Sequence, residues 1–114
     1  MASVKSVPVS NVGTQDFEPY EQETLTLGDV HWLRIGSGGD GVLYAGLWKH
    51  GPTDFLYVFP GDETFHVLEG EVTIAVEGGE SVTLRPGDIA SYAKGQSSTW
   101  HITQPFKKFF VISG

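Results

Sequence analysis

The sequence predicts an all-β fold of short antiparallel strands joined by tight turns. Glycine and proline are frequent, at 15 and 6 of 114 residues, and aromatic residues make up 12% of the chain. Aromatic and β-branched residues favour strands, whereas glycine and proline favour turns. No segment keeps a 3.6-residue apolar period long enough for a core helix. Short strands at regular spacing are typical of sandwiches and barrels.

The chain length suits a single domain, which we divide at the point where the strand pattern begins. Residues 1–23 are weakly patterned and end in the acidic run Glu18–Glu23. We expect an N-terminal arm here that lies on the domain or on a neighbouring subunit, with disorder as the equal alternative. Residues 24–114 are predicted to form the barrel.

Ten strands are predicted in the barrel, separated by glycine- and proline-rich turns. Gly28-Asp29 is interpreted as a hairpin turn, residues 36–41 as a loop, and Glu69-Gly70-Glu71 as a turn between two strands. The predicted strands are Thr24–Leu27, Val30–Ile35, Val42–Trp48, Phe55–Phe59, Glu63–Leu68, Val72–Val76, Ser81–Leu84, Ile89–Ala93, Ser98–Thr103 and Lys108–Ile112.

Two of these strands, Val42–Trp48 and Phe55–Phe59, are apolar on both faces. A strand in a barrel wall needs only one buried face, so the second face must meet another sheet, the arm or a partner subunit. We therefore expect a homodimer.

The charge and the missing residue types narrow the classes of function. The net charge is −7, so we expect no nucleic-acid partner, because an acidic surface repels phosphates. The absence of cysteine excludes disulfides and thiolate metal ligands. No signal-like segment precedes the strands and no run is long enough to span a membrane, so we expect a cytoplasmic protein with no membrane partner.

Two motifs in the second half of the chain resemble those of the cupin superfamily. Residues 63–71 end in Val-Leu-Glu-Gly, like the end of the first cupin motif, and residues 79–88 end in Pro-Gly-Asp, like the opening of the second. The resemblance runs from about Ala45 to Ile112 and implies an antiparallel double-stranded β-helix, the jelly-roll cupin barrel. Residues 45–48, Trp100 and Lys108 resemble the small cupins related to ureidoglycine aminohydrolase and to the ethanolamine-utilisation cupin.

The histidines that most cupins use to bind a metal are missing from the matching positions. The resemblance implies two His and one Glu in the first motif and one His in the second. Tyr57, Phe59 and Ser98 occupy the histidine positions, and only Glu63 matches. One carboxylate does not hold a divalent cation tightly, so we expect no metal and no cofactor.

The four histidines of the chain do not replace the missing ligands. His66 lies three residues after Glu63, so on a strand its side chain points to the opposite face. His101 should point outward if its neighbour Trp100 points inward. We expect a structural or surface role for the whole set, which comprises His31, His50, His66 and His101.

Strand alternation predicts a small-molecule site inside the barrel, with polar groups on an aromatic background. Glu63, Lys108 and Tyr57 are the candidate catalytic residues. A buried Glu63 should have a raised pKa suited to acid–base chemistry, and Lys108 would oppose that rise and could anchor an anion. The candidate substrate-binding residues are Trp48, Phe59, Phe65, Ser98 and Trp100.

Three functions stay open from the sequence. The first is an enzyme that acts on a small polar metabolite through Glu63 without the usual metal. The second is a non-catalytic barrel that holds a small ligand, and the third is an aminohydrolase-like metalloenzyme with non-standard ligands. A purely structural Glu63–Lys108 ion pair is the alternative to a functional site.

Overall fold

A computed structural model describes residues 7–22, 25–38 and 41–114. These residues form eight strands and no helix, and therefore include no helix that could cross a membrane. The strands are β1 (Glu18–Gln22), β2 (Leu25–Gly38), β3 (Gly41–His50), β4 (Thr53–Val58), β5 (Asp62–Val76), β6 (Ser81–Leu84), β7 (Ile89–Tyr92) and β8 (Ser97–Ser113).

All strand pairs are antiparallel, and they form two walls that share the long strands β5 and β8. One wall has the order β1-β2-β3-β8-β5-β7, and the other has the order β4-β8-β5-β6. The second half of β8 pairs with β3, whereas its first half pairs with β4. This arrangement confirms the predicted jelly-roll barrel.

Strands β5 and β8 are each continuous, which corrects two predictions. The segment Glu69-Gly70-Glu71 is not a turn, because β5 runs through it with shifts in register against β8. Gly70 has a φ of 82°, and a Cβ there would clash with the carbonyl oxygen of Pro105. The glycine bends β5 from one wall into the other. The stretches Ser98–Thr103 and Lys108–Ile112 are likewise two halves of one strand.

Strand β2 also continues through residues for which the sequence predicts turns. Gly28 has a φ of 70°, but it lies in a bulge opposite Tyr20, where the register of β1 and β2 shifts. The expected hairpin is wrong because β2 is paired on both sides, with β1 and with β3. Gly36, Ser37, Gly38 and Gly41 belong to paired strands rather than to a loop; Thr24, Gly39 and Asp40 lie outside the described residues.

The barrel interior is a continuous apolar core with many rings. Glu63, Phe65 and Val67 alternate along β5 with exposed residues, as a strand with one buried face requires. The buried core residues are Leu27, Val30, Trp48, Phe59, Phe65, Val67, Val72, Ile74, Leu84, Trp100, Ile102, Phe106, Phe110 and Ile112.

The two strands with apolar outer faces have different surroundings. On β3, Leu47 is buried beside the N-terminal residues 10–12. The ammonium of Lys107 donates to the carbonyl of Val12, which ties this segment to the barrel. On β4, by contrast, Leu56 and Val58 are 80% and 59% exposed. The N-terminal segment of the same chain therefore accounts for the apolar face of β3 but not for that of β4.

Candidate functional site

A small cavity lies inside the barrel, between the bulge of β2 and the start of β5. Its volume of about 20 Å³ is enough for a group the size of a water molecule. Strands β1, β2, β3, β4, β5 and β8 all contribute to its wall. The lining residues are Tyr20, Leu27, Val30, Trp48, Phe55, Tyr57, Glu63, Trp100, Lys108, Phe110 and Ile112.

Glu63 is the acidic group of this cavity, and its side chain is only 1% exposed. It is the second residue of β5, and alternation turns it inward with Phe65. Its Oε2 atom lies 2.5 Å from the Nζ of Lys108, and its Oε1 accepts a hydrogen bond of 3.2 Å from the Tyr57 hydroxyl. Each carboxylate oxygen thus has a donor, as a buried charge requires.

Lys108 is the basic group of the cavity, and its side chain is only 6% exposed. It lies on the inward face of β8 with Phe110 and Ile112. Four aromatic rings surround its Nζ, with centroids 4.7–5.5 Å away: Phe65, Trp100, Trp48 and Phe110. Burial lowers the pKa of the Lys108 ammonium below its usual value, and the Glu63 carboxylate opposes this effect.

Tyr57 links the carboxylate to the aromatic wall. Its ring lies edge-on to Phe59 and Trp100, with centroids 5.0 and 5.8 Å away. Burial raises the pKa of the Tyr57 hydroxyl well above its usual value, and the negative charge of Glu63 raises it further. The hydroxyl therefore stays protonated at neutral pH and donates to Glu63.

Hydrogen bonds hold the two tryptophans of the cavity wall in place. The Trp48 indole donates to the carbonyl of Leu27 at 2.9 Å, and the Trp100 indole donates to the Ser98 hydroxyl at 3.0 Å. Ser98 in turn donates to the carbonyl of Tyr57 at 2.8 Å. Ser98 thus couples the position of Trp100 to the strand that carries Tyr57.

The eight candidate site residues fall into two groups. Those at the cavity wall are Glu63, Lys108, Tyr57, Trp48 and Trp100. The remaining three, Phe59, Phe65 and Ser98, are buried in the core behind this wall.

Tyr20 and Phe55 line the cavity but were not among the candidates. Phe55 stacks on Trp100 with a centroid distance of 5.4 Å. It lies two residues before Tyr57 on β4, so strand alternation in the sequence already places the two side chains on the same face. Tyr20 lies in the acidic segment that is predicted to form an arm. Only the pairing of β1 with β2 brings it to the cavity.

The side chains at this site do not fit the metal centre that the cupin fold commonly carries. The family's histidine positions hold a tyrosine, a phenylalanine and a serine, and the ammonium of Lys108 occupies the acceptor that Glu63 would offer a cation. Among the described residues, no group of three or more His, Asp or Glu side chains is placed to bind a metal ion. No step of a mechanism is therefore assigned to a metal.

None of the four histidines lines the cavity, although the His50 ring stacks on Phe55 of its wall. His66 and His101 are exposed on outward faces, and His101 pairs with Asp54. His31 bonds to the Ser10 hydroxyl and to the carbonyl of Asp16, both at 2.7 Å, and so helps to hold the N-terminal segment. His50 bonds to the adjacent Gly51 carbonyl.

Solved structures with a similar fold come from several bacteria. A DUF861 family protein from Thermotoga maritima has a TM-score of 0.56 and 26% identity, covering 58% of this chain and 75% of its own. The Clostridium difficile EutQ protein has a TM-score of 0.57 and 21% identity. That match covers 62% of this chain but only 56% of the EutQ chain.

A protein from Shewanella frigidimarina that contains a cupin-2 domain adds a third likeness, with a TM-score of 0.58 and 21% identity. Here the match covers 75% of this chain and 79% of the other. No curated protein matches this chain significantly. Structural similarity at these identities shows the fold and not the function, because the same barrel carries many different chemistries.

The family itself is shown by the sequence. Residues 37–110, well over half of the chain, match the EutQ-like cupin domain. The matched segment carries Tyr57, Glu63 and Lys108 of the cavity wall, whereas Tyr20 lies outside it. This chain therefore belongs to the EutQ-like cupin domain family.

Proposed function

We propose that the chain binds a small polar metabolite, one group of which enters the barrel cavity, and that it acts on this group by acid–base chemistry at Glu63. The observation that supports this proposal most directly is the cluster of Glu63, Lys108 and Tyr57 on the cavity wall. A buried ion pair contributes little to stability once the desolvation of both charges is counted. A pair that also faces a cavity is well placed to contact a ligand.

The charges of the cluster favour a ligand that is neutral overall. Glu63 and Lys108 cancel, so neither an anion nor a cation gains from the net charge of the site. Lys108 and Tyr57 are donors, Glu63 is an acceptor, and the surrounding rings match a flat apolar portion. A small amide, ureide or sugar derivative combines these features. The resemblance to ureidoglycine aminohydrolase makes ureides the first compounds to try.

In this proposal, Glu63 exchanges a proton with the ligand, and Lys108 and Tyr57 position it. The ammonium and the phenol hold the carboxylate in one orientation, which avoids reorganisation when a proton moves. Trp48 and Trp100 exclude water from the group that reacts. No metal is needed for this role.

The test is a screen for binding and turnover of small amides, ureides and sugar derivatives by NMR. Wild-type protein is compared with the double variant Glu63→Gln/Lys108→Met, which removes both charges and avoids stranding either one. The matched control is Glu71→Gln/Arg85→Met, which removes an ion pair of 2.8 Å whose arginine side chain is 63% exposed.

We expect compounds that bind the wild type and the control but not the double variant, and that are converted only by the wild type and the control. Equal binding to all three proteins would make Glu63 a structural residue. Binding without conversion would favour the non-catalytic barrel. Conversion that appears only when Mn²⁺ or Zn²⁺ is added would favour a metalloenzyme with non-standard ligands.

For the assembly, the proposal is a homodimer that uses the outer face of β4. Leu56 and Val58 are exposed there beside a shallow groove of about 350 Å³ that also contains Ala75 and Val76. Exposed apolar side chains grouped on one strand are typical of subunit contacts. A two-fold axis would pair this strand with its copy and bury the same residues on both sides.

A further inference from the structure

We propose that the side-chain amine of Lys108 forms a covalent imine with a small neutral aldehyde whose carbonyl group enters the barrel cavity. This inference goes beyond the acid–base role of Glu63 and rests on the proposed function, because both need the cavity as a ligand site. It assigns a substrate class, carbonyl compounds, and makes Lys108 the residue that bonds to carbon.

The position of Lys108 combines the features that make a lysine nucleophilic. Its side chain is almost fully buried among rings, it lies on the cavity wall, and a carboxylate oxygen lies 2.5 Å from its Nζ. An apolar pocket disfavours the ammonium and so activates a lysine for addition to carbonyls. A lysine with a purely structural role would need only the carboxylate as its ion-pair partner. A lysine that reacts with a ligand also needs open space beside Nζ, and this cavity provides it.

The surroundings of Nζ also suit the product. A protonated imine carries its positive charge on the same nitrogen as the ammonium it replaces. The four ring faces and the Glu63 carboxylate that stabilise the ammonium therefore stabilise this cation as well. The site does not have to rearrange its charges when the bond forms.

The reaction balances with the groups present. Glu63 takes a proton from the ammonium, and the lone pair on Nζ attacks the carbonyl carbon. Proton transfer from nitrogen to oxygen then gives a carbinolamine. Glu63 returns its proton to the hydroxyl, which leaves as water while the nitrogen lone pair closes the C=N bond. The net charge is unchanged and no oxidant or reductant is used.

The volume of the cavity and the charge of Glu63 restrict which carbonyl compounds can reach Lys108. A volume of about 20 Å³ admits only a group of one or two heavy atoms beside Nζ, so the reacting carbonyl must be the terminal carbonyl of an aldehyde. A carboxylate next to the carbonyl would face Glu63 at close range. Neutral aldehydes are therefore favoured over oxo acids.

Reductive methylation of the folded protein tests the inference. Formaldehyde is small enough for the cavity, and cyanoborohydride traps each imine as a methylamine that mass spectrometry of peptides locates. Lys107 is the internal control, because its side chain is also mostly buried and has a carboxylate, that of Glu69, at 3.6 Å, but it does not line this cavity. Lys49 and Lys94 report the reactivity of other lysines of the chain.

We expect Lys108 to be methylated at least about tenfold faster than Lys107, at a rate similar to that of Lys94. Labelling in urea should abolish the difference, which shows that the fold causes it. Protection of Lys108 in the folded protein while Lys94 is fully methylated would overturn the inference.

The outcome separates this inference from the proposed function. If Lys108 is protected but the polar screen finds ligands that the double variant loses, the acid–base proposal survives and the imine is wrong. Rapid methylation of Lys108 supports the imine even if no amide, ureide or sugar derivative binds.

Discussion

The buried pair of Glu63 and Lys108 allows a quantitative prediction about stability. Glu63→Gln keeps the shape of the side chain but leaves the ammonium of Lys108 without its counter-charge. Lys108→Met fills nearly the same volume but leaves the carboxylate alone. Because the two side chains are 1% and 6% exposed, water screens neither charge. Each single change is expected to lower the free energy of unfolding by about 3–5 kcal/mol.

The double variant should recover most of this loss. Two neutral side chains have no charge to desolvate, so Glu63→Gln/Lys108→Met is expected to lie within about 1–2 kcal/mol of the wild type. The coupling energy between the two positions should then be at least about 4 kcal/mol. In a chain of this size, each single variant should melt roughly 13–21 °C below the wild type.

Urea unfolding at pH 7, followed by tryptophan fluorescence, measures these differences. The same cycle at Glu71 and Arg85 is the control, because that pair is partly exposed and should couple by less than about 1 kcal/mol. If the coupling at Glu63 and Lys108 is no larger than in the control, the two charges do not share a buried site. That result would refute the electrostatic reasoning behind both proposals.

Three further results are expected. The difference in the free energy of unfolding between the wild type and Tyr57→Phe should be constant below pH 10, and above it the wild type should lose up to about 1.4 kcal/mol per pH unit relative to the variant. The reason is that the raised pKa of Tyr57 keeps its proton in the folded state, whereas the unfolded chain loses it. Urea melts in which both proteins depend on pH with the same slope would contradict this. Purified protein should retain no stoichiometric transition metal after desalting, and about one Mn, Fe, Ni or Zn per chain by elemental analysis would show that the ligands were misassigned. Light scattering should give a dimer of the 12.4 kDa chain that Leu56→Glu dissociates, and a single-chain mass for the wild type at micromolar concentration would exclude the proposed dimer.

The alternation of apolar and polar residues in the sequence was enough to predict which face of most strands points into the barrel. The alternation along β5 predicted that Glu63, Phe65 and Val67 point inward, and they do. The same rule turned Lys108 and Phe110 toward the interior. A two-residue period appears in any strand with one buried and one solvent-exposed face. It can therefore be recognised without knowing which strands lie beside it.

Glycine signals were less informative, because a positive φ serves both turns and bulges. Gly28 and Gly70 both have the conformation that a turn would require, yet each lies within a long strand. Which of the two occurs depends on whether strands pair on both sides. That condition involves residues distant in the chain and is absent from the local sequence.

Composition, motif spacing and strand alternation are enough to predict the all-β class, the resemblance to cupins and the inward orientation of Glu63 and Lys108. Which of the inward side chains meet depends on the tertiary structure. Tyr20 reaches the cavity because β1 pairs with the bulge of β2, while Ser98 is held behind the wall by Trp100 and the Tyr57 backbone. Long-range strand pairing sets these contacts, and no local pattern contains the distance between residues 45 positions apart that lets Lys108 bond to Glu63.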